Sequence, residues 1–226
     1  MSALSNRQLN FIYGLAGLSM LSIIFGSQQS YAESLDLYYS SIKSAGSLRE
    51  FCLANPIIDE CKIAIGEWKP AQLEKVKTSS PQCFDTCPLD TFGFVRSADG
   101  AREFPRVSTK DFDGSSPSRG VEFDLYPVVL TALKYEGCTG CPLIKTSPLA
   151  ASISKRDQVI ELPLLGYGSF YLPTKARSLL AARGREGASV DIILDFGKNK
   201  EKRRISGLAL REYAKMQLAL NYHLLR

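Results

Sequence analysis

Six cysteines, Cys52, Cys61, Cys83, Cys87, Cys138 and Cys141, form three close-spaced pairs in a chain of 226 residues. No other feature constrains the fold as much, because a bridged pair must hold its Cα atoms within roughly 7 Å of each other. The spacing favours sequential pairing: Cys52–Cys61, Cys83–Cys87 and Cys138–Cys141. An even count of this kind belongs to an oxidising compartment.

All six cysteines lie beyond residue 32, and the segment before them explains how the chain would reach that compartment. Arg7 is its only charge; "FIYGLAGLSMLSIIFG" and the polar "SQQSYA" follow. Ser30 and Ala32 fit a small-x-small cleavage pattern, which predicts a signal peptide over 1–32 and a mature start at Glu33. The alternative is an uncleaved anchor, since the uncharged run approaches the roughly 20 residues that span a bilayer. After cleavage no stable membrane span is expected, and the protein would be periplasmic or secreted. Loss of Arg7 lowers the net charge from +5 to +4. So small an excess gives no argument for nucleic acid as a partner. Its one concentration, "KNKEKRR" from Lys198 to Arg204, reads as a solvated turn.

Residues 33–95 read as a helical, disulfide-braced section. Leu35, Tyr38, Tyr39 and Ile42 share a helical stripe, and Ser47 with Glu50 makes a capping box ahead of "FCLA". Asn55 and Pro56 end that helix and can open another, which would bring Cys52 near Cys61. Residues 96–120 are rich in turn formers and predict a linker or long loop. Within it "DFDG" (Asp111 to Gly114) resembles the opening of a calcium loop, but the further acidic ligands are missing.

Residues 121–226 predict an α/β domain. "VVLTAL" is a strand, and a helix is expected from Cys138 to about Ser154. "QVIELPLL" is a strand and "TKARSLLAA" a helix. "VDIILDF" and "KRRIS" are strands joined by a turn, and a last helix follows Gly207. The spacing C-x-x-C at a strand-to-helix junction carries chemistry. A thiolate at a helix N-terminus meets unpaired amides and the positive end of the helix dipole, which lowers its pKa. The second sulfur then reaches back to release a mixed disulfide. The same four residues can also form a permanently oxidised loop, and both readings stand.

With "VVLTALKYEGCTGC" and "VDIILDFGKNKEKRRISGLALREYAKMQL" in place, the chain from Val121 to Arg226 resembles the thioredoxin fold. The resemblance implies thiol–disulfide exchange with exported protein thiols and disulfides, Cys138 attacking and Cys141 resolving. Gly137 stands where such proteins carry an aromatic residue, and Ala132 where they bury an acid. The tail from "SLLAARGREG" to "RRISGLALREYA" also resembles exported proteins of the invasion-associated locus B type, built on a β-sandwich. That resemblance implies a noncatalytic binding or envelope protein with structural disulfides only. Contact would then depend on exposed aromatics such as Tyr167, Phe170 and Tyr171.

Other chemistries lack their residues. The single histidine, His223, is the fourth residue from the end, so neither a His-based metal cluster nor a His-dependent triad is expected. No cofactor motif is present, and no metal site is expected.

Overall fold

The computed structural model describes residues 38–55, Cys61 and 89–219, except 97–102, 115–118, 138–141 and 156–157. Contacts divide the chain into Met1–Glu33 and Ser34–Arg226, and every described residue belongs to the second unit.

Two short helices come first, α1 (Tyr39–Ser44) and α2 (Leu48–Ala54). The Ser47 half of the predicted capping box forms: Ser47 Oγ accepts a hydrogen bond from the Glu50 amide at 3.1 Å. Asn55 ends α2, and its side-chain amide donates to the Phe51 carbonyl. Neither helix is long enough to be stable alone. Their support is the expected Cys52–Cys61 disulfide together with an apolar cluster of Ile42, Leu48, Phe51, Val128 and Tyr171.

Eleven strands follow among the described residues: β1 (Thr91–Arg96), β2 (Glu103–Phe112), β3 (Gly120–Leu125), β4 (Val129–Glu136), β5 (Ile144–Thr146), β6 (Ala150–Lys155), β7 (Gln158–Leu162), β8 (Leu164–Gly166), β9 (Ser169–Tyr171), β10 (Val190–Asp195) and β11 (Lys200–Ile205). The larger sheet runs β1-β2-β3-β4-β9-β8, with β5 also paired to β4; the smaller runs β11-β10-β6-β7. Every pairing between described strands is antiparallel. Two longer helices, α3 (Thr174–Arg185) and α4 (Gly207–Ala219), complete the order.

Alternation along the strands explains the packing. In β3, Val121, Phe123 and Leu125 are buried while Glu122 and Asp124 face outward; in β10, Val190, Ile192 and Leu194 are the buried set. These residues join Phe94, Val107, Leu130, Ile153 and Phe170 in one core, which both helices enter through Leu179, Leu180, Leu210, Tyr213 and Met216. The helices cross closely at Gly184, where a Cβ would stand 2.0 Å from the Leu210 carbonyl oxygen. Only glycine permits that approach.

The two sheets are also clasped by charge. Asp113, just past β2, pairs with Arg203 of β11, and Asp111 accepts the Arg204 amide at 2.8 Å. Lys134 of β4 reaches Glu201 of β11 at 2.5 Å. The "DFDG" acids thus serve as partners for arginine.

Three expectations need correction. The helix from Cys138 to Ser154 does not form: 144–146 and 150–155 are strands β5 and β6. Pro148 would have stood in the helix interior, without an amide hydrogen to donate, and Ile144, Thr146 and Ile153 are β-branched. The linker read over 96–120 contains all of β2, whose Val107 and Thr109 are buried and whose Lys110 is exposed. Pro105 disguised it, yet that residue lies ahead of Val107, where pairing with β3 begins, so no hydrogen bond on that side is lost. "QVIELPLL" is two strands, β7 and β8, divided at Pro163. The order strand, helix, strand expected over 121–165 is therefore absent. The strand at 129, helix α3, the β10–β11 hairpin and helix α4 form as read.

Candidate functional site

Of the expected site residues, Cys138 and Cys141 lie outside the described residues, as do Cys83, Cys87 and His223. The flanks of "CTGC" are defined. Gly137 follows β4, and Pro142 and Leu143 lead into β5. Glu136 and Ile144 are opposite each other in the β4–β5 pairing. The motif thus belongs to a connection between antiparallel neighbours, and no helix begins within 142–155.

Beside that connection the outer face of the larger sheet carries a hollow. Register builds it. Phe112 on β2 is opposite Gly120 on β3, Gly120 is opposite Tyr135 on β4, and Tyr135 is opposite Lys145 on β5. One row across four strands therefore reads Phe, Gly, Tyr, Lys, and the missing side chain at Gly120 leaves a gap between two aromatics. The resulting concavity is about 170 Å³; Phe112, Gly120 and Tyr135 of that row line it together with Lys110, Val121, Glu122 and Leu143, and Lys145 stands outside the lining. It is smaller than the roughly 300 Å³ at which drug-sized ligands are enclosed. One apolar side chain is the scale that fits.

Its rim is polar. The Lys110 and Lys145 ammonium groups lie 6.0 and 5.5 Å from the Tyr135 ring centroid, within cation–π range. Glu122 accepts from Ser108 at 3.4 Å and pairs with Lys110 at 3.8 Å. Burial, then a hydrogen bond to Glu122, pushes the Tyr135 phenol up to about 12, so it stays neutral at physiological pH. Deeper on the same face, burial raises the Asp124 carboxyl despite Arg106 at 3.4 Å. The groups at this site are cations held over an aromatic ring and a carboxylate already paired.

The aromatics of "GYGSFYL" separate. Phe170 and Tyr171 are fully buried, on opposite sides of β9, one in the main core and one under the N-terminal helices. Tyr167 alone is exposed, at 95 %. It occupies the β8–β9 turn at φ 49°, between Gly166 and Gly168, which also have positive φ.

Among the described residues no group of histidine, cysteine, aspartate or glutamate could hold a metal ion, and no helix is long and apolar enough to cross a membrane. The chain matches no family model, no curated protein and no solved structure.

Lys110, Phe112 and Gly120 fell within the supposed linker, and Lys145 within the supposed helix. A signal was present: Arg106, Ser108 and Lys110 alternate with Val107 and Thr109, the period of a half-buried strand.

Proposed function

We propose that this is an exported, noncatalytic binding protein whose disulfides are structural and whose contact surface is the outer face of the larger sheet. The observation that carries this reading is the strand β5 that follows "CTGC". The redox alternative draws its lowered thiolate pKa from the amides and dipole of a helix, and residues 142–155 supply none. Without that source, a structural bridge is the better supported reading of Cys138 and Cys141.

Two antiparallel sheets over a shared core also favour the β-sandwich reading that the likeness to invasion-associated locus B-type proteins implies over the thioredoxin-like one. Export rests on the apolar leader and finds support in the Cys52–Cys61 bridge. The hollow suits a partner that offers an apolar side chain next to an acid, the acid meeting Lys145 or Lys110. Tyr167 adds an exposed aromatic of the kind that anchors protein contacts.

Thiol trapping separates the two functions. In cells producing the Cys141→Ala variant, Cys138 is expected to hold no partner in mixed disulfide. The intact Cys138–Cys141 bridge is expected to have a reduction potential below about −300 mV, as structural disulfides do. A trapped partner, or a Cys138 thiol that alkylates rapidly at neutral pH, would restore the exchange reaction and sink the binding reading.

A further inference from the structure

We propose that three neighbouring loop tips, carrying Tyr167, Leu149 and Lys198, seat the protein on an anionic phospholipid surface. None of the residues that line the hollow takes part. Tyr167 then meets lipid, and the hollow is left to a protein partner.

Backbone packing brings the tips together. A Cβ on Gly168, in the β8–β9 turn, would stand 3.2 Å from Ser147 Cβ and 3.3 Å from Pro148 Cδ. Leu149 comes next in the chain, and its Cδ1 lies 3.2 Å from where a Cβ on Gly197 would be, in the β10–β11 turn. Residues 166–168, 147–149 and 197–199 thus adjoin in that order. Asp195 ties the last two together: its carbonyl accepts from the Leu149 amide at 2.7 Å, and its Oδ1 from the Gly197 amide at 2.7 Å.

The side chains at these tips depart from the small polar residues that turns favour. Tyr167 is 95 % exposed and Leu149 63 %. Lys198 is exposed and meets no carboxylate among the described residues. Asp195, the acid beside this turn, is already engaged by the Gly197 amide and by Lys200 at 3.6 Å. Lys145 on β5, the strand leading into the corner, is likewise exposed; its contact is the Tyr135 ring. One corner therefore presents an aromatic, an aliphatic and cations that no described acid neutralises.

The boundary of an anionic bilayer suits all three. A tyrosine ring belongs at the level of the headgroups, apolar at one end and wet at the other. A leucine reaches the acyl chains, and ammonium groups are drawn by the negative potential of acidic lipids. Such a surface takes in separate tips without a matching pocket. No described helix is long and apolar enough to cross a membrane, so the contact is peripheral, with apolar and basic side chains acting jointly.

The test is sedimentation of the full mature chain with vesicles of phosphatidylcholine, alone or with about a third phosphatidylglycerol. Binding to the anionic vesicles is expected to be roughly tenfold tighter or more, and to weaken as salt is added. Tyr167→Asn, which tolerates the left-handed turn, and Leu149→Ser should each lower it severalfold. Lys198→Gln should lower it more than Lys215→Gln, which removes the same charge from α4. All four side chains are exposed, and an unchanged or raised Tm verifies that each variant is folded. Absence of binding to the anionic vesicles overturns the proposal, as does equal binding to the neutral ones. Equal losses in the two lysine variants, or undiminished binding by both Tyr167→Asn and Leu149→Ser, also overturn it.

Discussion

Tyr167 shows how a single residue can carry both strain and contact. A non-glycine side chain in the left-handed region costs about 1–2 kcal/mol, and this ring is almost wholly in solvent, where nothing offsets the cost. Tyr167→Gly is therefore expected to stabilise the protein by up to about 1 kcal/mol, after allowance for the greater freedom of an unfolded glycine. Urea unfolding with an unchanged m-value measures it. A loss of stability would instead mean that the ring packs against the protein in solution. If stability rises while partner binding falls, the strain persists because the aromatic tip is used.

Among the elements, the clasp between β2, β4 and β11 makes a pH prediction. Hydrogen bonding by Arg203 lowers the Asp113 carboxyl, and that of Lys202 lowers Asp191. For Glu201 burial pushes upward, but Lys134 and Arg203 together outweigh it and the net direction is down. Groups with depressed folded values stabilise above the ordinary carboxylate range, and the contribution is lost as pH falls through the folded values. Asp124 has the opposite sign: burial raises it, so its protonation on acidification favours the fold. Arg203→Met should flatten the fall of Tm below about pH 4 and leave the Asp124 effect in place. Parallel Tm curves for the variant and the native chain between neutrality and acid would refute the clasp. Elements differed in how openly the sequence announced them. The Ser47–Glu50 cap, the β10–β11 hairpin and the last two helices rest on contacts near in sequence and were legible. Strands β2 and β5 were not: Pro105 and the turn formers around it hid the first, the helix expected after Cys138 hid the second, and only cross-strand partners identify either. The hollow was illegible for the same reason. Phe112, Gly120, Tyr135 and Lys145 become neighbours through register, a property of pairs of strands and not of any one segment.

At the scale of the molecule, contacts far apart in sequence tie the ends of the fold together: Ser206 at the head of α4 bonds Asp90 beside β1 at 2.8 Å, and Asp113 meets Arg203. Chains built this way fold slowly and expose unpaired sheet edges while doing so. One edge strand has a built-in answer. Strand β11 borders the smaller sheet, and its exposed positions, Lys200, Lys202 and Arg204, are all basic. Replacing the three with threonine should leave the sheet intact but let copies associate, which light scattering at increasing concentration would detect. A triple variant as monodisperse as the native protein would count against this role. A guard of this kind works through unscreened charge, so crowded copies of the native chain are expected to stick more readily as electrolyte is added.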